Sequence, residues 1–256
     1  MGNSSSSTTC GNTTPARKTP ATTTVTGTTG ITALGVASDS RIAVAAQSMA
    51  QFLHSTMTRI DRCTVVGFHT QYKPLVSLQS EDMALMGLAA CCRMTNDKES
   101  GGTHLWDSIV VSVLQHITTA DRSRPWVLVI LTDGGDNGSK QTLKDAAQIL
   151  QRFNAPSNNF CFVIGLGSAC QETQLKSLCS QSGSMYLPAR DAGALHMIMP
   201  LIALQVVQGV SIDVGQISRA GGAQAAYARV RETVGLRQNP VDFLFLLDAS
   251  GSMRSK

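Results

Sequence analysis

The feature that most constrains this chain is the way its apolar residues change period. Val127-Leu128-Val129-Ile130-Leu131 is a continuous aliphatic run, too short for a free-standing helix. Such a run reads as a strand covered on both faces. Cys63-Thr64-Val65-Val66-Gly67-Phe68, Phe160-Cys161-Phe162-Val163-Ile164 and the stretch 241–247 have the same character, the last being the most apolar. Between these runs the apolar residues fall at helical spacing. Ile42, Ala45, Ala46, Met49, Phe52, Leu53 and Met57 mark a helix over 40–58. Further helical stretches are expected over 83–92, 105–117, 143–153, 175–179 and 192–208. Shorter strands are expected at 75–78 and at an edge, 185–187. Strands alternating with helices of this length predict an open, doubly wound, mostly parallel α/β sheet with helices on both faces.

The stretch 192–208 is apolar enough to suggest a membrane span. His196, Pro200, Gln205 and Gln208 interrupt it, which favours a kinked core helix. Residues 209–240 are ambiguous: a strand at 210–214, then a Gly/Ala-rich linker with some helical character. The division expected is a leader over 1–38, the main part of the domain over 39–208, a linker or extension over 209–240, and a completing strand and loop over 241–256.

In the leader, half of the first thirty residues are Ser or Thr, and no acidic residue precedes Asp39. A stretch of that composition cannot offset its ordering entropy by burial and is expected to be disordered. Met1-Gly2-Asn3-Ser4-Ser5-Ser6 fits the pattern for an N-terminal acyl chain on Gly2. Cys10 is close enough to take a second, palmitoyl chain, which matters because one myristoyl chain holds only marginally. The opposing reading is a polar leader that happens to begin Met-Gly. Placement in the cytoplasm, peripheral on a membrane through the lipid, follows from the first reading.

Composition excludes several classes. Lys plus Arg exceed Asp plus Glu by only four, and no basic run of five occurs, so a nucleic-acid partner is not expected. The seven cysteines include no C-x-x-C pair and no zinc spacing, and the first 24 residues lack an apolar signal core. This usage fits a reducing compartment, with adjacent Cys91-Cys92 as a weaker redox candidate.

In open parallel sheets, ligands bind beyond the carboxyl ends of the strands. Three such loops carry short oxygen-bearing side chains: Asp248-Ala249-Ser250-Gly251-Ser252, Gly101-Gly102-Thr103, and Thr132-Asp133-Gly134-Gly135-Asp136-Asn137. Two carboxylates and three hydroxyls are hard oxygens, suited to magnesium or manganese rather than a soft metal. Helix caps and turns use the same residue types, so each residue alone also fits a structural role.

Asp-x-Ser-x-Ser after an apolar strand, Gly-Thr before a helix and an apolar strand ending Thr-Asp-Gly together resemble the metal-ion-dependent adhesion site of von Willebrand factor A domains. Gly67-Phe68 and Val163-Ile164-Gly165-Leu166-Gly167 are similar to flanking strands of that family. The resemblance covers about 38–208 and 241–254. It implies that Ser250 and Ser252 ligate a Mg2+ or Mn2+ ion directly, with Thr103 direct or water-linked. Asp248 and Asp133 would bind directly or hold coordinating waters. A carboxylate from an Asp or Glu of a partner protein would complete the shell.

One departure is large: in the family the Asp-x-Ser-x-Ser motif comes first, and here it comes last. The helix from Arg41 resembles the one that normally follows that motif. Circular permutation accounts for this order. A strand-swapped dimer, or a fragment of a larger tandem protein, accounts for it too.

The expected function is therefore non-catalytic: binding of a partner carboxylate through the metal, with no catalytic residue. Alternatives are a metal-free structural or strand-swapping module and a metal-dependent hydrolase. Enzyme motifs are poorly matched. Ala249-Ser250-Gly251 is no nucleophile elbow, and the glycines of 134–140 miss phosphate-loop spacing. Asp136 and Asn137 are expected to shape the loop, Asp107 and His104 to lie on a solvated rim, and His54, His69, His116 and His196 to be structural.

Overall fold

The computed structural model describes residues 40–96, 101–119, 121, 123–156, 158–168, 170–208, 223–234, 237 and 239–254. The leader, with Gly2 and Cys10, and the strand expected at 210–214 lie outside the described residues.

The elements run α1 (Arg41–Thr56), β1 (Arg62–Phe68), β2 (Tyr72–Gln79), α2 (Glu81–Met94), α3 (Leu105–Thr119), β3 (Trp126–Thr132), α4 (Leu143–Asn154), β4 (Phe160–Leu166), α5 (Glu172–Ser182), β5 (Met185–Ala189), α6 (Ala192–Gln208), α7 (Ala223–Val234) and β6 (Asp242–Asp248), then a 3-10 turn, Gly251–Arg254. The six strands form one sheet in the order β2-β1-β6-β3-β4-β5. β2 pairs antiparallel with β1, and every other pairing is parallel. The α/β architecture read from the sequence is the architecture found.

β6 is last in sequence and central in space. Its register runs Arg62↔Asp242 to Phe68↔Asp248 on one side and Trp126↔Asp242 to Leu131↔Leu247 on the other. All seven of its residues are buried. Because side chains alternate along a strand, β6 feeds both faces. Phe243, Phe245 and Leu247 join the core under α1, α2, α6 and α7, while Leu244 and Leu246 join the core under α3, α4 and α5. Phe52 of α1 meets Phe243 and Phe245 edge-on, at ring-centroid distances of 5.7 and 5.8 Å.

Several stretches differ from the periodicity reading. α2 begins two residues early, because Ser80 precedes it in extended backbone and Glu81 and Asp82 suit the positive end of a helix. α6, by contrast, covers the whole expected 192–208 stretch, with Pro200 inside it and Leu195, Ile198, Met199, Ile202 and Ala203 buried. Among the described residues no helix is long and apolar enough to cross a membrane. In the ambiguous 209–240 stretch, α7 packs Tyr227, Val230 and Val234 into the first core. The adjoining chain is pinned at Asp61, whose carboxylate accepts from the Val241 N–H at 2.8 Å and pairs with Arg237. That pinning sets the point at which β6 enters the sheet.

Candidate metal centre

β6 delivers Asp248 to the carboxyl edge of the sheet, fully buried. Its Oδ1 accepts from the Ser250 N–H at 2.9 Å, and its Oδ2 accepts from Thr132 Oγ1 at 2.6 Å. The Ala249 N–H donates to the Phe68 carbonyl at 2.7 Å, tying this loop to the end of β1. Met253 is fully buried in the first core and its N–H reaches the Ser250 carbonyl at 3.1 Å, so the turn carrying Ser252 is anchored.

From this loop the hydroxyls chain towards Asp133. Ser250 Oγ and Ser252 Oγ lie 2.9 Å apart, and Ser252 Oγ donates to Asp133 Oδ1 at 2.8 Å. Asp133 Oδ2 pairs with Arg41 Nη1 at 2.8 Å. Thr103 is buried on the neighbouring loop. Its N–H donates to Asn137 Oδ1 at 2.6 Å and its carbonyl accepts from the Asn137 N–H at 3.0 Å, which joins the Thr103 loop to the Asp133 loop. The His104 N–H donates to the His69 carbonyl at 2.8 Å, so β1 braces this loop as well. Gly102 is needed for closeness: a Cβ there would sit 2.9 Å from Thr70 Cγ2 and 3.3 Å from Asn137 Oδ1.

Four of the expected residues, Asp248, Ser250, Ser252 and Asp133, thus form one hydrogen-bonded cluster, with Thr103 on the adjoining loop. The neighbouring acids are committed elsewhere. Asp136 accepts from the Trp106 and Ser139 N–H groups at 3.3 and 3.2 Å, and Asp107 accepts from the Lys140 and Gln141 N–H groups at 3.0 and 2.7 Å. They shape the loop. Thr132 and Arg41 had no role in the sequence reading. Thr132 stood in plain view within the Thr-Asp-Gly motif, whereas Arg41 reaches Asp133 across 92 residues and left no local signal.

The donor set fits a hard divalent cation. In octahedral coordination at about 2.0–2.1 Å, neighbouring ligand oxygens stand about 2.9 Å apart. The Ser250–Ser252 and Ser252–Asp133 oxygen separations are 2.9 and 2.8 Å, hydrogen-bond lengths that are also compatible with that edge. Among the described residues no group of three His, Cys, Asp or Glu side chains is arranged to hold a metal, so an ion here would need hydroxyls among its ligands. Burial pushes the Asp248 carboxyl up to about 6, with the nearby Asp133 charge adding and the Ser250 and Thr132 hydrogen bonds opposing. Asp248 has no cationic side chain in salt-bridge contact among the described residues.

The adjacent thiols of Cys91 and Cys92 sit in the core rather than at an open site. Both are fully buried, and burial raises Cys92 to about 11 and pushes Cys91 well above the ordinary thiol value. Thiols held protonated in an apolar setting are inert, which counts against the redox reading.

The family model for the von Willebrand factor type A domain matches residues 37–200, and the chain belongs to that family. Domains of this family are in general protein-interaction modules rather than enzymes, and often bind a divalent metal at an adhesion site. Among solved structures, proximal thread matrix protein 1 from the mussel byssus is 16% identical with a TM-score of 0.47, over 62% of this chain and 39% of that one. A second crystal form of it gives 16% and 0.44, over 62% and 38%. A von Willebrand factor type A protein from Catenulispora acidiphila is 14% identical with a TM-score of 0.45, over 76% and 39%. The chain spans less than two-fifths of the length of each of these solved chains. No curated protein matches it.

Proposed function

We propose that this chain is a non-catalytic protein-binding module that takes an acidic side chain of a partner through a divalent cation. Ser250, Ser252, Thr103, Asp133 and Asp248 would hold the ion, Mg2+ or Mn2+, and the ion would supply a Lewis-acidic position for the partner's Asp or Glu carboxylate. The observation that carries this reading is a fully buried Asp248, in salt-bridge contact with no described cationic side chain, at the end of a connected run of hydroxyl and carboxylate oxygens. Thr132 and the Ser250 N–H keep that carboxylate oriented in advance.

In this reading the chain is a circular permutation, cut in the loop between the metal-site turn and α1. Two features support it. β6 pairs in parallel with both β1 and β3, and the family match ends before β6 begins. The Met-Gly leader supports placement at the cytoplasmic face of a membrane through Gly2 and Cys10. A metal-free structural module is the second reading, favoured by the Arg41–Asp133 ion pair, which already satisfies half of one carboxylate.

The test is thermal unfolding of the full chain in EDTA and in millimolar Mg2+, with mass measured by light scattering. The expected result is a monomer whose Tm rises with Mg2+ by several degrees, and a Ser252→Ala variant that keeps its Tm in EDTA but loses the rise. A dimer with the same rise places β6 in a neighbouring copy. A folded protein with no metal response overturns the metal-dependent reading.

A further inference from the structure

Arg41 opens α1, and no acidic residue stands in that first turn. A cation there faces the positive end of the helix dipole, where cations are disfavoured. Its side chain instead crosses to Asp133 Oδ2 at 2.8 Å, and Asp133 is fully enclosed at its side chain while Arg41 is 24% exposed. The guanidinium packs beside Gly167, where a Cβ would be in ordinary van der Waals contact with Cζ and Nε at 3.5 Å. The other oxygen of Asp133, Oδ1, points to Ser252 and the proposed metal ligands.

We propose that Arg41 is a tethered competing cation that sets how tightly the site holds its metal; the inference rests on the metal-site reading above. With one oxygen paired to Arg41, Asp133 offers a metal only part of its charge, and a fixed positive group stands one carboxylate away from the ion. Both effects weaken metal binding. The opposing effect, orientation of Asp133 by Arg41, is smaller, because Ser252 already fixes the other oxygen. The consequence is a site whose cation stays under-neutralised. Metal and partner carboxylate then strengthen one another's binding by the same factor, as linkage requires.

The test is a titration of the full chain with Mn2+ alone, reading free Mn2+ by electron paramagnetic resonance, on the wild type, Arg41→Gln and Arg41→Lys. Glutamine keeps an N–H donor and removes the charge; lysine keeps the charge. The expected result is Mn2+ affinity roughly tenfold or more tighter in Arg41→Gln, from loss of like-charge repulsion, and within about threefold of wild type in Arg41→Lys. A folded Arg41→Gln that binds Mn2+ no more tightly than wild type overturns the inference and leaves the metal centre standing. No Mn2+ binding by either protein overturns the metal centre, and the inference with it. Binding by Arg41→Gln alone supports the inference and shows the arginine to be the resident cation. Should Arg41→Gln unfold in EDTA, recovery of its circular dichroism on adding Mn2+ supports the inference, and failure to recover overturns it.

Discussion

β6 begins and ends with a fully buried aspartate, and the two are handled in opposite ways. Asp242, at the amino end, accepts from Arg62 Nε at 3.0 Å and Nη2 at 2.5 Å, and Arg124 Nε lies 2.8 Å from its Oδ1. The Arg124 approach is an ion pair without hydrogen-bond alignment, since the same Nε has no directed partner. Asp248, at the carboxyl end, receives one hydroxyl and one backbone N–H. Burying a carboxylate is costly unless it is paired, and the cost appears at Asp248 as a raised pKa. One end of the strand is neutralised by the protein's own cations. The other has no described cationic side chain in salt-bridge contact, the shortage that the proposed metal centre would fill.

Removing the neutralised carboxylate gives the largest expected effect. Asp242→Asn leaves Arg62 and Arg124 facing each other, and should lower stability by about 3 kcal/mol or more, the usual cost of breaking a buried pair from one side. Urea unfolding at neutral pH measures it, and a loss under about 1 kcal/mol would erase the contrast between the two ends.

The same change at the other end should act with opposite sign. The Asp248 carboxyl titrates near 6 in the folded chain against an ordinary value of 3.8. Between those values the folded state holds a proton that the unfolded state has released, so stability falls as pH rises through that window. Above it the cost amounts to about 3 kcal/mol at most. Asp248→Asn in EDTA should therefore raise stability at pH 7.5 by up to that amount, give no gain at pH 4, and abolish the Mg2+ response. Equal effects at both pH values would show that Asp248 bears no such cost.

The smallest expected effect concerns the hydroxyl that orients Asp248. Thr132→Val removes a 2.6 Å donor to its Oδ2. The loss should be about 1–2 kcal/mol at pH 7.5, where the acceptor is charged, and visibly less at pH 5. A pH-independent loss would locate the role of Thr132 in its second contact, the Gly134 carbonyl at 3.2 Å.

The fold was legible where burial is two-sided. β3, β4 and β6 are written as unbroken apolar runs, and the stripe of α1 is regular enough to fix its buried face. α7 was not legible in the same way, because its described core contacts come from three residues, Tyr227, Val230 and Val234, within a Gly/Ala-rich stretch. At the site, the short residues were legible because Asp, Ser and Thr act close to their own backbone. Arg41 was not, since a long side chain acts where its tip arrives, and only the docking of α1 beside the β3 loop brings that tip to Asp133. The two fates of the β6 aspartates were also hidden: nothing near Asp242 in sequence announces Arg62, at the start of β1, or Arg124, from the loop before β3.

The central position of β6 also bears on how the molecule folds. β1 meets it across about 180 residues, as in Arg62↔Asp242, and β3 across 116, as in Trp126↔Asp242. Until β6 arrives, β2-β1 and β3-β4-β5 are separate half-sheets, each with an open edge facing the other. Contacts of such long sequence separation slow folding and extend the time those edges are exposed. The strand that carries Asp248 is thus also the bolt that joins the two halves, so the sheet and the proposed site can be completed only together.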